Sequence, residues 1–166
     1  MEPRLSLKYL NQLKDLIDIF PHDRFEEIGR VLLEAYDHKR QIFVMGNGGS
    51  GTTASHFVCD INKGSCFEHE KKFKVVCLND NIPTILAYAN DLSYDKIFVE
   101  QLKNFLNEGD IVIGISGSGN SENVLHAVSY AKEKGGGCYC IYSGSFFNAP
   151  RCGHASTDGC AFINTL

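Results

Sequence analysis

Residues 41–53 read Gln41-Ile42-Phe43-Val44-Met45-Gly46-Asn47-Gly48-Gly49-Ser50-Gly51-Thr52-Thr53. A short apolar run with no polar alternation, closed by glycine, is the pattern of a strand covered on both faces, as in a parallel sheet. The glycine-rich loop that follows runs straight into a helical segment over about 51–61. Two more such runs lie downstream, Phe73-Lys74-Val75-Val76-Cys77-Leu78 and Asp110-Ile111-Val112-Ile113-Gly114-Ile115. Cys138-Tyr139-Cys140-Ile141-Tyr142 is a weaker fourth. Helical periodicity fills 82–89, 94–107 and 121–134. Strands alternating with helices imply βαβ units and a doubly wound, mostly parallel α/β sheet.

Upstream, Leu10, Leu13, Ile17 and Phe20 recur at helical spacing. Asp23-x-x-Glu26 reads as a capping box opening a second helix, whose stripe is Phe25, Ile28, Val31, Leu32 and Ala35. Leu5, Tyr9 and Leu16 add apolar surface to the first helix beyond one stripe, which suits either an interface between subunits or packing on its own domain. Downstream, residues 135–166 hold four of the seven cysteines and six of the sixteen glycines, but only two charged residues, Arg151 and Asp158. No closing helix is legible there, so the expectation is an atypical tail, either a loose native end or the product of a frameshift near codons 134–137.

The 166 residues fit one domain with a core of its own. A composition of 43% apolar and 22% charged residues excludes disorder and coiled coil. No run of about 18 apolar residues is present, so no membrane span is expected. The start lacks a secretory pattern, and seven cysteines are an odd number, so reduced thiols and a cytoplasmic location are expected. A net charge of −4, with one dense basic cluster at Lys71-Lys72-Phe73-Lys74, argues against direct nucleic-acid binding. Cys59 and Cys77 read as small core residues.

Ligands of open parallel sheets bind beyond the carboxyl ends of the strands. Two strand ends here carry polar, glycine-rich loops. In the first, 46–53, glycines admit close backbone approach and the following helix aims N–H groups at an anion. It is not a Walker loop, because Thr52 stands where lysine is required. The second, Ser116-Gly117-Ser118-Gly119-Asn120-Ser121, brings three hydroxyls to another helix start, which suits a phosphate monoester. Ser121 equally reads as a plain N-cap. His56 and Asp60 share one helix face and suit either an acid–base or a metal role, or a plain surface pair. Asn79-Asp80-Asn81 reads as a turn, while Asn90-Asp91 reads as either a turn or a sugar contact.

Taken together and in order, Gly46-Asn47-Gly48-Gly49-Ser50, His56, Asn90-Asp91 and Gly114-Ile115-Ser116-Gly117-Ser118-Gly119-Asn120-Ser121 resemble the sugar-isomerase (SIS) family, most of all its phosphoheptose isomerase branch. The resemblance covers about residues 5–134. It implies a three-layer α/β/α sandwich of flavodoxin-like type, a homotetramer, and interconversion of a ketose and an aldose phosphate. The implied pair is sedoheptulose 7-phosphate and glycero-manno-heptose 7-phosphate, used for bacterial surface polysaccharide such as lipopolysaccharide. By position, Asn47, Gly48, Gly49 and Ser50 would line the sugar, and Asn90 and Asp91 would contact it. Ser116, Gly117, Ser118 and Ser121 would hold the phosphate. His56 and Asp60 would bind zinc, and Asp60 would be the base in a metal-assisted enediol mechanism.

Two departures stand out. Asp60 occupies the place of the family's glutamate, one methylene shorter, and ~1 Å of misplacement can cost ~100-fold in rate. The family's C-terminal glutamine and histidine have no counterpart; His154 is in no matching context. The alternative expectation is therefore a catalytically incomplete SIS-type protein that binds phosphosugar as a regulator or bridge between partners.

Overall fold

The computed structural model describes residues 4–20, 22–142 and 160–164. Two helices lead, α1 (Leu5–Asp18) and α2 (His22–Asp37). They are followed by β1 (Gln41–Gly46), α3 (Gly48–Cys59) and a wider π-helical turn over Asp60–Ser65. Then come β2 (Lys74–Cys77), α4 (Ile82–Asp91), a 3-10 turn over Tyr94–Lys96 and α5 (Val99–Phe105). The chain continues through β3 (Ile111–Ser116), α6 (Glu122–Glu133), β4 (Gly137–Tyr142) and β5 (Cys160–Asn164).

The strands form one sheet in the order β2-β1-β3-β4-β5, every pairing parallel. This is the expected doubly wound architecture. Its alternation is visible on β1, whose apolar run is buried on both faces. Phe43 and Met45 join Val112, Phe98, Leu102 and Val128 on the α5–α6 side. Ile42 and Val44 join Ile113, Val75, Ala54, Val58 and Ala35 on the α2–α3 side. Each fully buried side chain of this size contributes about 1.5–3 kcal/mol relative to exposure, so helices are required on both faces and three layers result.

Three details depart from the sequence reading. Helix α2 begins at His22, so Asp23 lies in its first turn instead of capping it; its charge still suits the positive end of the helix. Cys59 is exposed, whereas Cys77 is buried as expected: Cys59 follows the buried Val58 and turns to the outer face of α3. Cys59, Cys66 and Cys77 carry free thiols. A fifth strand, β5, pairs Cys138 with Cys160 and Tyr142 with Asn164, so part of the atypical tail extends the sheet. A short apolar run without flanking helical periodicity had concealed it. The rest of that tail, including His154, lies outside the described residues. The first helix also stands apart: no residue of α1 is buried, and Leu5, Tyr9 and Ile17 are 84%, 65% and 60% exposed.

Candidate functional site

The strand order reverses direction between β1 and β3, because the chain goes from β1 outward to β2 and returns to β3 on the other side. A crevice opens beyond the strand ends at such a switch point. Gly46 lies in register with Ile115, so the two glycine-rich loops leave the sheet side by side. What the sequence places far apart, the topology makes adjacent.

The first loop is shaped by close approach. A Cβ on Gly46 would fall 2.7 Å from the Ile115 carbonyl oxygen and 2.7 Å from the Ser50 backbone, and one on Gly51 would fall 2.9 Å from the Gly46 oxygen. Neither position admits a side chain while strand and helix stay this close. Gly48 has a φ of +51°, the left-handed region, and neither it nor Gly49 has a neighbour within 4 Å of where a Cβ would sit. Those two glycines thus present bare backbone to open space. Asn79 holds the loop from the β2 side. Its side-chain amide donates to the Gly46 carbonyl at 2.7 Å and its oxygen accepts from the Gly46 N–H at 3.1 Å. The turn reading of 79–81 missed this role, although Asn81 caps α4 by accepting from the Thr84 N–H at 3.2 Å.

The second loop centres on Ser116, 7% exposed, whose hydroxyl lies 3.1 Å from that of Ser121. Ser118 accepts from the Asn120 N–H at 3.2 Å, and Gly119 adopts a φ of +67°. Gly117 and Ser118 are exposed. Ser121 occupies the N-cap position of α6 yet its side chain makes no capping hydrogen bond, and the same is true of Asn47 before α3. Neither N-cap side chain therefore takes the first-turn N–H groups of its own helix at the crevice, although Asn123 accepts from the Val124 N–H within α6. A ligand with anionic oxygens is the natural acceptor for such ends.

Asn47 is turned elsewhere. Its amide and that of Asn123, 2% exposed, donate to each other's oxygen, both at 2.8 Å. Tyr94 donates its hydroxyl to the same Asn47 oxygen at 3.0 Å. Asn123 and Tyr94 were not singled out in the sequence, and no local signal marks either. Asn90 and Asp91 sit at the end of α4, exposed and hydrogen-bonded to each other at 2.8 Å. The chain leads from them into the turn that carries Tyr94. Within that turn the Asp95 carboxyl is lowered from 3.8 to about 2, first by the Ser93 side chain and then by Lys96.

His56 and Asp60 do meet: Nε2 of the imidazole is 3.6 Å from an Asp60 oxygen. Their side chains are 76% and 68% exposed. At ~1.5 Å per residue they lie about 12 and about 18 Å along the helix from Gly48, two to three turns from the loops. One nitrogen and one oxygen donor do not make a catalytic zinc site, which takes three protein ligands. Among the described residues no group of three or more His, Cys, Asp or Glu could hold a metal ion. The pair therefore does not fit zinc unaided.

Among the described residues no helix is long and apolar enough to cross a membrane. Over residues 8–143 the chain matches the SIS domain family model. It is 37% identical over 125 residues to a probable phosphoheptose isomerase of Thermoplasma volcanium, covering 75% of this chain and 62% of that protein. It is 38% identical over 112 residues to a phosphoheptose isomerase of Thermodesulfovibrio yellowstonii, covering 66% of this chain and 54% of that one. The chain thus spans roughly half to three-fifths of the length of these curated relatives. A solved phosphoheptose isomerase from Francisella tularensis superposes with a TM-score of 0.77 at 25% identity, over 96% of this chain and 86% of that one. With the parallel sheet, the paired loops and a match across most of its length, the chain belongs to the SIS domain family.

Proposed function

We propose that this chain binds a phosphorylated sugar at the β1/β3 edge and catalyses aldose–ketose isomerisation. The pair interconverted is sedoheptulose 7-phosphate and D-glycero-D-manno-heptose 7-phosphate, a step toward surface heptose. The observation that carries the binding is the adjacency of two helix starts, neither capped by its N-cap side chain, beside the Ser116–Ser121 hydroxyl pair. Phosphate oxygens take the N–H groups and hydroxyls there, and the helix ends supply the positive charge that a lysine supplies elsewhere. The bare backbone at Gly48 and Gly49 lets the sugar approach. The names of the relatives support the choice of substrate.

Isomerisation moves one proton between neighbouring carbons. A base removes the proton from the carbon beside the carbonyl, and the electron pair shifts onto the carbonyl oxygen to give an enediol. The proton is returned to the former carbonyl carbon, and the hydroxyl proton shifts between the two oxygens. Asp60 serves as the base, and His56, whose Nε2 lies 3.6 Å from the Asp60 carboxylate, donates to the oxygen that gains charge. Zinc would need a third donor from outside the described residues or from a second copy, and no step here is routed through it. The unburied apolar side chains of α1 support self-association, with a homotetramer as the assembly, in the cytoplasm; sedimentation of the purified chain tests the subunit count.

One observation favours a second reading. The His56–Asp60 pair is exposed and stands without a third group among the described residues, so binding without turnover would make the chain a phosphosugar-responsive or partner-bridging protein. Calorimetry with sedoheptulose 7-phosphate, followed by NMR of the same sample for aldose formation, decides. Binding with turnover supports the isomerase, binding alone supports the second reading, and absence of both rejects the two together.

A further inference from the structure

We propose that the Asn47–Asn123 amide pair is a clasp that sets the spacing of the two ligand loops, with Asn123 as its positioning residue and Tyr94 as a third arm. The inference rests on the phosphosugar reading of the site and adds Asn123 and Tyr94, to which no ligand role attaches above.

The geometry is specific. Two primary amides facing each other can exchange two hydrogen bonds only if each presents one donor and one acceptor, and both bonds here measure 2.8 Å. Asn123 is buried, and its oxygen also accepts from the Val124 N–H at 2.9 Å, which fixes its amide on the first turn of α6. The Asn47 oxygen accepts from both Asn123 and Tyr94. Both acceptors are therefore used twice, and the side chain of Asn47 is committed to the junction.

Three segments meet at this point: the start of α3, the start of α6 and the turn after α4. The first two bear the loops of the proposed site, and the third supplies Tyr94. The turn is itself held. Gln101 is buried and donates to the Ile97 carbonyl at 2.8 Å and the Leu78 carbonyl at 3.1 Å. Asp95 lies 3.0 Å from Lys96 and 3.1 Å from His126 of α6, which also faces Glu122 at 3.8 Å. Tyr94 thus reaches Asn47 from a braced position while its ring stays 57% exposed at the rim.

A ligand that touches only the Ser116–Ser121 loop should not feel this clasp, whereas one that spans both loops should. Inorganic phosphate and sedoheptulose 7-phosphate are the two probes. Titration of the full-length chain by calorimetry compares wild type, N47A, N123A, the double variant and Y94F, each checked by thermal unfolding. In N47A and N123A, phosphosugar affinity should fall about 10- to 100-fold, the cost of misplacing one loop by about 1 Å. Phosphate affinity should stay within about twofold. The double variant should be no worse than the weaker single one, because the residues act as a unit. Y94F keeps the exposed ring and removes one donor, so it should lose about threefold.

A parallel loss of both ligands in folded N47A and N123A overturns the clasp, since it marks general damage. So does an additive double variant, or wild-type affinity for the phosphosugar in both single variants. If N123A fails to fold, N47A and Y94F decide by the same criteria. A wild-type chain that binds neither probe rejects the phosphosugar reading and this inference with it; loss of the differential effect alone rejects only the clasp.

Discussion

Two regions on α3 face different fates. At its N-terminus the glycine-rich loop is tied from three sides, by Asn79, by Asn123 and by Tyr94, and a second serine-rich loop stands beside it. Two to three turns further on, His56 and Asp60 face solvent with one contact of 3.6 Å between them. One region is pre-organised by hydrogen bonds that cross the domain. The other is a local i,i+4 pair that the helix alone creates. The difference teaches that the loop junction is fixed by the fold itself, whereas the proposed reacting groups depend on what else comes to the outer face that carries His56 and Asp60.

The sharpest test of that contrast is Asp60→Asn. As the base of an isomerisation, Asp60 should contribute about 10²- to 10⁴-fold to turnover, while phosphosugar affinity stays near wild type. NMR-monitored conversion read against calorimetry separates the two. Equal turnover in the variant would remove Asp60 from the chemistry and leave the loops as the whole functional site.

Gly46→Ala attacks the other region. The added methyl meets backbone from β3 and α3 at 2.7 Å, and backbone cannot swing away as a side-chain tip can. A destabilisation of about 1–3 kcal/mol is expected from such overpacking, read as a lower urea midpoint with an unchanged slope. Ser121→Ala is gentler. It removes one hydroxyl from the Ser116 pair, and phosphate affinity should drop about five- to tenfold, with unfolding little altered because the side chain caps nothing.

His56→Ala should leave stability within about 0.5 kcal/mol of wild type, as befits an exposed pair. A larger loss by chemical denaturation would show the pair engaged by something further. The smallest effect concerns Asp95. Its folded carboxyl is depressed to about 2, so the stability it lends is present above about 4 and fades as pH falls toward 2. The stability gap between wild type and Asp95→Asn should therefore narrow over that window in acid titration followed by circular dichroism.

Much of this was legible in the chain. The run Ile42–Met45 announced a strand covered on both faces because nothing polar interrupts it. The serines and glycines of both loops stood out as a candidate anion site, and the register of β1 with β3 brings the two loops side by side. Asn123 and Tyr94 were not legible. Asn123 lies in the first turn of α6 and looks like an ordinary polar residue there, while Tyr94 looks like one more aromatic after a turn. Their roles arise from partners 76 and 47 residues away. The strand at 160–164 was missed for a related reason: a five-residue edge strand carries too little pattern of its own.

The sequence by itself determined the local matters: which runs are strands, which loops are rich in glycine and hydroxyls, and that His56 and Asp60 share a helix face. Those follow from periodicity and residue chemistry, which act over a few residues. Only the tertiary structure decided that β1 and β3 are neighbours and that neither N-cap side chain caps its own helix. It alone decided that Asn47 turns into the junction with Asn123. Strand order and side-chain pairing across the sheet are set by packing between distant segments, and no short stretch of sequence carries that information.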